Sequence, residues 1–149
     1  MREKSSRREY CTWEEVELLI KILANKIRNS KKKYNIILGI TNGGIIPARM
    51  LARDLDMNHI LFIPVRNKKL YMNEMPQLSR DKKYLIVDEI YDTGSTLTTV
   101  YDTVRNYDCD FAFLMKRFMG NNVDGREYIA KILNHNKWVV FPWERKIIT

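Results

Sequence analysis

Short apolar runs alternate with helical patterns along most of this chain, and this alternation limits its possible folds more than any other feature of the sequence. The runs at residues 34–40, 60–65 and 84–87 are rich in Ile, Leu and Val, which is typical of strands buried on both faces. Further runs follow at 110–115 and 138–141. Strands that alternate with helices across glycine-containing turns predict a parallel, doubly wound α/β sheet.

Three helices are predicted, one before the first of these strands and two between strands. The first begins with a capping box, in which the Thr12 hydroxyl and the Glu15 carboxylate are three residues apart, and it should end near Asn29–Ser30. The second covers Ile45–Leu55, with a proline in its first turn, where a missing N–H costs little. The third runs from the turn at 92–95 to about Asn106.

The chain length indicates one domain, because 149 residues suffice for a single core and no repeat, low-complexity tract or linker is visible. We therefore expect one domain over residues 1–149. The polar, basic stretch from Arg66 to Lys83 is long for a loop in a compact domain. Loops of this length are usually functional lids or disordered segments, so a mobile loop is predicted at about 66–83.

The charge balance predicts an anionic partner. The chain has 26 Lys and Arg against 18 Asp and Glu, a net charge of +8, which fits a nucleic acid, a membrane surface or a phosphorylated small molecule. No apolar run approaches the roughly 18–20 residues of a membrane span, and the charged N-terminus shows no secretory signal. Cys11 and Cys109 can build neither a disulfide framework nor a zinc site. A cytoplasmic location is expected.

The segment from Tyr84 to Leu97 carries the densest polar chemistry. Its strand ends in Asp88 and Glu89, followed by Asp92 and then by Thr93–Thr96 at the start of a helix. Glycine, hydroxyls and a helix N-terminus together form a phosphate cradle. The acidic pair would repel phosphate, so it indicates a divalent cation or sugar hydroxyls. A ribose 5-phosphate site combines these features; the alternative is a capped helix with solvated acids.

Two other segments could contribute to the same site. Two consecutive glycines at 43 and 44 follow the first strand, where main-chain N–H groups can face an anion, although such a turn alone is equally typical of a plain strand-to-helix connection. Near the C-terminus, Lys116 and Trp138 suggest a planar base that stacks on the indole and accepts from the ammonium. The alternative is a core tryptophan and a solvated Lys116–Arg117 end.

Residues 87–97 resemble the signature of type I phosphoribosyltransferases, two acids followed by a D-T-G-x-T loop. Residues 39–52 are similar to the pyrophosphate loop of that family. The opening Thr12-Trp13-Glu14 is similar to the bacterial xanthine–guanine enzymes, and the resemblance covers roughly Thr12 to Glu144. It implies an open, mostly parallel twisted sheet flanked by helices, with a small C-terminal hood that binds the base.

The resemblance implies an enzyme of purine salvage. Such an enzyme transfers the 5-phosphoribosyl group from 5-phosphoribosyl 1-diphosphate to guanine, xanthine or hypoxanthine, releasing pyrophosphate and forming a nucleoside 5'-monophosphate. It also implies Mg²⁺ bound by Asp88 and Glu89, and a homodimer or homotetramer.

The resemblance further implies a role for each matching residue. Asp92 would take the N7 proton of the base. The phosphoribosyl diphosphate would be bound by residues of the two loops, namely Asp88, Glu89, Thr93, Gly94, Ser95, Thr96, Asn42, Gly43 and Gly44. The base would be bound by Lys116 at the 6-oxo group, Trp138 by stacking, Val139 through its carbonyl at C2, and Glu144 where the xanthine–guanine enzymes have aspartate.

Two departures from the family pattern affect pyrophosphate binding. Asn42 stands where the purine enzymes usually carry arginine or lysine, so binding would depend more on magnesium, Arg66, Lys68 and Lys69. The usual Ser-Tyr pair is missing from the 66–83 loop, where Tyr71 could replace it.

Two alternatives stay open. One is a phosphoribosyltransferase for another base, against which the pairing of Lys116 with Trp138 argues. The other is a nucleotide-sensing, RNA-binding regulator, for which the net charge of +8 would be the footprint. A regulator has no need of Asp92 as a base, and no RNA-binding module is visible. A small phosphorylated metabolite is therefore preferred to nucleic acid as the partner.

Overall fold

Five parallel strands form the central sheet of this computed structural model, which describes residues 7–92, 95–117 and 127–145. The helices are α1 (Trp13–Ser30), α2 (Ile45–Asp54) and α3 (Ser95–Val104). The strands are β1 (Arg8–Tyr10), β2 (Ile36–Ile40), β3 (Ile60–Ile63), β4 (Val65–Arg66), β5 (Lys69–Leu70), β6 (Lys83–Tyr91), β7 (Asp108–Arg117), β8 (Glu127–Leu133) and β9 (Trp138–Val140). Short 3-10 helices cover Met72–Glu74 and Pro142–Glu144.

The strand order in the central sheet is β3-β2-β6-β7-β8, and every neighbouring pair is parallel. Alternate strand residues enter two apolar clusters, one packed with α1 and α2 and the other with α3. Because both faces are covered, the central strands read as continuous apolar runs. The predicted α/β fold class, an open parallel sheet flanked by helices, is confirmed.

The helices follow their local signals closely. The Thr12 hydroxyl accepts a hydrogen bond from the Glu15 N–H at 3.1 Å, as the capping box predicts. Helix α1 ends at Ser30 as expected, and Lys31 then adopts a left-handed conformation. Helix α2 ends one residue before the predicted boundary, and α3 ends at Val104 rather than near Asn106.

Two predictions about strands were wrong, and one strand was missed. The strand at 60–65 is not buried on both faces, because β3 is an edge strand and Phe62 is 40% exposed. Strand β6 does not end at the acidic pair but continues to Tyr91, paired with β7. Strand β8 was not predicted at all; it pairs with β7 and forms the other edge of the sheet.

The segment predicted as a mobile loop begins with regular structure. Strands β4 and β5 form a small antiparallel hairpin, and the Tyr71 N–H donates to the Pro64 carbonyl at 2.9 Å. Later in the segment, the Ser79 N–H donates to the Tyr84 hydroxyl at 2.7 Å. The mobility of residues 66–83 and the extent of the domain over 1–149 stay predictions.

A second, two-stranded sheet lies at the position of the predicted hood. Strands β1 and β9 pair in parallel, with Arg8 opposite Trp138 and Tyr10 opposite Val140. The Cys11 N–H extends this pairing by donating to the Val140 carbonyl at 2.9 Å. Among the described helices, none is both long enough and apolar enough to cross a membrane.

Candidate functional site

A cavity of about 340 Å³ opens at the carboxyl ends of β2 and β6, where an open α/β sheet binds its ligands. It brings together many of the residues singled out from sequence, which are Asn42, Gly43, Asp88, Glu89, Asp92, Thr96 and Trp138. The hairpin also contributes Arg66 and Lys68 to its lining. Residues from four separate parts of the chain therefore meet in one cavity.

The turn after β2 is tied to the hairpin by Thr41. Its hydroxyl accepts a hydrogen bond from the Val65 N–H at 3.0 Å and donates to the Val65 carbonyl at 2.9 Å. The Thr41 N–H donates to the Ile63 carbonyl at 3.1 Å. The peptide bond between Thr41 and Asn42 is cis. Thr41, which was not among the predicted site residues, thus holds Asn42 and the hairpin together at the cavity.

The two glycines of this turn have different surroundings. A Cβ on Gly43 would lie 2.1 Å from Oε1 of Glu89, so the missing side chain leaves room for that carboxylate. A Cβ on Gly44 would lie 2.5 Å from the Val87 carbonyl oxygen, so this glycine lets the turn pack against β6. The Gly44 N–H donates to the Ile40 carbonyl at 2.7 Å, and it is therefore already engaged within the turn.

The acidic pair on β6 is partly buried, and both carboxyl groups hold their protons more tightly than usual. Burial, followed by the negative charge of Glu89, raises the pKa of Asp88 well above its ordinary value. Burial, followed by the Glu144 carboxylate, raises the pKa of Glu89 to about 7. The Asp88 Oδ1 accepts from the Glu89 N–H at 2.8 Å, and the Glu89 Oε2 accepts from the Trp143 indole N–H at 3.3 Å.

A divalent cation would fit this pair. Mg²⁺ prefers oxygen ligands and is usually held by one or two carboxylates together with substrate phosphates and water. Asp88 and Glu89 provide two such carboxylates, and among the described residues the groups that shift their pKa values are acidic or neutral rather than cationic. Within the described residues, no group of three or more His, Cys, Asp or Glu side chains is placed to hold a metal. Oxygens from a bound substrate and from water would complete the coordination.

We expect the raised pKa of Glu89 to make the metal-free protein less stable as pH rises. Between its ordinary value of 4.5 and about 7, the folded state binds more protons than the unfolded state, so the free energy of unfolding falls across this window. The loss from Glu89 is at most about 3 kcal/mol. The Glu89→Gln variant should reduce this slope, as measured by urea unfolding in EDTA between pH 4.5 and 8.

Glu74→Gln provides the matched control. The Arg66 guanidinium lowers the pKa of the exposed Glu74 carboxyl, so its contribution has the opposite sign and is lost as pH falls. The Glu74→Gln variant should therefore leave the decline between pH 4.5 and 7 in place. An unchanged decline in Glu89→Gln would contradict the assignment.

Asp92 directly follows β6 at the rim of the cavity. Its side chain is 45% exposed, and the Arg117 Nε lies 3.1 Å from its Oδ1. Helix α3 begins at Ser95, three residues later. Thr93, Gly94 and the side chain of Ser95 lie outside the described residues, so their predicted contacts stay predictions, whereas Thr96 lines the cavity.

Three of the four predicted base-binding residues, Trp138, Val139 and Glu144, lie near the C-terminus, and the fourth, Lys116, lies on β7. Trp138 is 59% exposed and lines the cavity, which excludes the alternative that it is a core residue. Val139 is buried in the hood beside it. Glu144 caps the last 3-10 helix by accepting from the Phe141 N–H at 2.9 Å. Its carboxylate is therefore already engaged, and it also acts on Glu89 through its charge.

Lys116 is buried, which excludes a solvated strand end. Its ammonium lies 2.6 Å from Oε1 of Glu127 on β8 and 4.9 Å from the centre of the Tyr91 ring. A contact with a base would require the ammonium to be shared with Glu127. Glu127, Arg117 and Trp143, like Thr41, were not among the predicted site residues, and their contacts join positions that are separated in the chain.

The comparisons with known proteins agree with this architecture. Residues 6–146 match the family described as the phosphoribosyl transferase domain. A xanthine-guanine phosphoribosyltransferase of Nitratidesulfovibrio vulgaris is 25% identical over 142 residues, covering 91% of this chain and 84% of the relative. A purine phosphoribosyltransferase structure from Pyrococcus horikoshii has a TM-score of 0.73 and 29% identity, covering 95% and 97% of the two chains. The xanthine-guanine-hypoxanthine phosphoribosyltransferase of Helicobacter pylori shares the fold, with a TM-score of 0.74, 19% identity and coverage of 92% and 93%.

The family match extends over nearly the whole chain, including the sheet, the acidic strand and the hood that surround the cavity. This chain therefore belongs to the phosphoribosyl transferase domain family.

Proposed function

We propose that the protein is a purine phosphoribosyltransferase that transfers the phosphoribosyl group of 5-phosphoribosyl 1-diphosphate to guanine, xanthine or hypoxanthine. The products are pyrophosphate and a nucleoside 5'-monophosphate, as in purine salvage. The observation that carries the proposal is the cavity that Asp88, Glu89, Asp92 and the exposed Trp138 line together. The names of the relatives support the same substrate class.

The sugar-phosphate end of the substrate would bind between the two β-to-α turns. Thr96 and the preceding residues 93–95 at the N-terminus of α3 would hold the 5-phosphate. Asn42 and Gly43 would contact the diphosphate, and Gly44 would shape their turn. Asp88 and Glu89 would hold Mg²⁺, which neutralises the charge that develops on the departing pyrophosphate.

The hairpin would supply the positive charge that Asn42 lacks. Arg66 and Lys68 line the cavity, whereas Lys69 lies over the Tyr71 ring. The Arg66 guanidinium stacks on Tyr71 at 3.8 Å and forms two hydrogen bonds, of 2.8 and 2.7 Å, with Glu74. It is therefore held in place at the diphosphate end of the cavity before any ligand binds.

The chemical step would be displacement at C1 of the ribose. A bond forms between a purine ring nitrogen and C1, the bond from C1 to the diphosphate oxygen breaks, and its electron pair leaves with pyrophosphate. Positive charge grows on the sugar, and Asp92 accepts the N7 proton of the base as the nitrogen attacks. Binding of the distant phosphates positions C1 for this attack.

The base would lie on the hood. Trp138 would stack on the purine ring, and the Val139 carbonyl would accept from the group at C2, with Glu144 near it. Lys116 would reach the 6-oxo group while keeping its contact with Glu127. We also propose a cytoplasmic enzyme that forms a homodimer or homotetramer.

A panel of four bases tests the proposal. With 5-phosphoribosyl 1-diphosphate and Mg²⁺, at least one of guanine, xanthine and hypoxanthine should form the mononucleotide faster than adenine does, because Lys116 would donate to a 6-oxo group. EDTA should stop the reaction. If no base reacts and the protein binds RNA at micromolar concentration in physiological salt, the RNA-binding regulator would replace this proposal.

A further inference from the structure

Arg117, the last residue of β7, forms three hydrogen bonds through three different nitrogens. Its Nε donates to Oδ1 of Asp92 at 3.1 Å, its Nη1 to the His135 carbonyl at 2.9 Å, and its Nη2 to the Lys137 carbonyl at 2.8 Å. The side chain is only 12% exposed. The guanidinium is therefore held firmly at the edge of the cavity.

These contacts connect two parts of the site that no strand pairing joins directly. Asp92 follows β6, whereas residues 135–137 lead into β9, whose first residue is Trp138. The turn at 135–137 has its own bond, from the Lys137 N–H to Nδ1 of His135 at 3.1 Å. The Arg117 guanidinium thus bonds both to the Asp92 carboxylate, which would accept the proton, and to the backbone just before Trp138, whose ring would stack on the base.

The guanidinium is suited to this position in a way that other side chains are not. Its N–H donors lie in one rigid plane, so the positions of the Asp92 carboxylate and of the two carbonyl oxygens are fixed relative to one another. A lysine ammonium carries the same charge but is a compact group on a flexible stem. It could reach the carboxylate or a carbonyl, but it could not impose one geometry on all three acceptors.

We propose that Arg117 is a positioning residue that sets the Asp92 carboxylate relative to the plane of a base stacked on Trp138. This inference rests on the proposed function. Without Arg117, the half-exposed carboxylate would rotate and the 135–137 turn would lose two of its anchors. The turn at 41–44, the acidic pair and Thr96 form none of these three bonds, so we expect the phosphoribosyl diphosphate site to be affected much less than the base site.

The Arg117→Met variant tests the inference by separating the two substrates. We expect kcat/KM for the base to fall at least ~10-fold, because small displacements of reacting groups are costly, while the KM for 5-phosphoribosyl 1-diphosphate stays within about 2-fold. Arg117→Lys should fold like the wild type and recover only part of the loss. It therefore tests the inference even if the methionine variant does not fold. Equal KM changes for both substrates, or kinetics like those of the wild type, would overturn the inference.

Arg53→Met is the matched control. Arg53 also bonds two carboxylates, Glu17 at 3.1 Å and Asp54 at 2.9 Å, but it lies at the exposed end of α2. Its removal should leave both KM values and kcat unchanged. Any loss of activity common to both arginine variants would then indicate a general effect of removing a paired charge and would overturn the specific role of Arg117.

A double-mutant cycle tests whether Arg117 acts through Asp92. If it does, adding Arg117→Met to Asp92→Asn should lower single-turnover rates by less than about 2-fold, because the group that Arg117 positions can no longer accept the proton. Rate losses that multiply would contradict the inference. A wild-type protein inactive with all four bases would remove the proposed function and this inference together, whereas an active wild type with an unaffected Arg117→Met removes the inference alone.

Discussion

Asp92→Asn is expected to lower kcat by about 10²- to 10⁴-fold, the range typical of losing a positioned general base. The amide cannot accept the N7 proton, but its oxygen can still accept from Nε of Arg117, so the local geometry is kept. Affinity for 5-phosphoribosyl 1-diphosphate should change little. Nucleotide formation in single turnovers and calorimetric titration of the diphosphate measure the two quantities separately.

Asp102→Asn is the control for this experiment. Asp102 is an exposed carboxylate on α3, and it is not among the residues that line the cavity. Its variant should react like the wild type. If Asp92→Asn retained kcat within about 3-fold, or lost kcat and diphosphate affinity in parallel, Asp92 would not be the proton acceptor.

Gly44→Ala is expected to destabilise the fold by about 3 kcal/mol or more, as severe overpacking does. The added Cβ would lie 2.5 Å from the Val87 carbonyl oxygen and 2.6 Å from that of Ile40. These are main-chain atoms of two central strands, and they cannot move aside without distorting the sheet. Urea unfolding measures the loss, and a midpoint equal to that of the wild type would show that the turn can relax.

Gly43→Ala is the informative comparison, because the two substitutions are identical and one residue apart. Here the added Cβ would meet the end of the flexible Glu89 side chain, 2.1 Å away, and the carboxylate can swing aside. Stability should stay near that of the wild type. Affinity for the diphosphate in Mg²⁺ should fall ~10-fold, because one of the two expected metal ligands is displaced. Equal destabilisation of the two variants would contradict this account.

Features with strong local signals were predictable. Helix α1 carries both its cap at Thr12 and a regular apolar stripe, and it begins and ends where predicted. Strand β8 carries no comparable signal, because it is an edge strand with polar Glu127 and Lys131 among its apolar residues, and it is stabilised by its pairing with β7 and its packing against α1. The extension of β6 to Tyr91 depends on the same neighbour.

In the candidate site, several residues were predictable from sequence, but their contacts were not. Asp88, Glu89, Asp92 and Gly43 could be selected as candidate site residues from sequence, because strand ends and glycine turns mark where ligands bind in α/β sheets, whereas Trp138 was selected through the resemblance to type I phosphoribosyltransferases. Which group each charge contacts was not predictable. The partners are 11 residues apart for Lys116 and Glu127 and 25 for Arg117 and Asp92, and they meet only through strand order.

By itself, then, the sequence determined the α/β class and the set of polar residues that gather at one end of the sheet, because both follow from local periodicity and from where strands stop. Tertiary structure alone decided that Lys116 is buried against Glu127 and that Arg117 joins Asp92 to the hood. The physical reason is that an ion pair depends on the register and order of separate strands, which no local pattern of residues encodes.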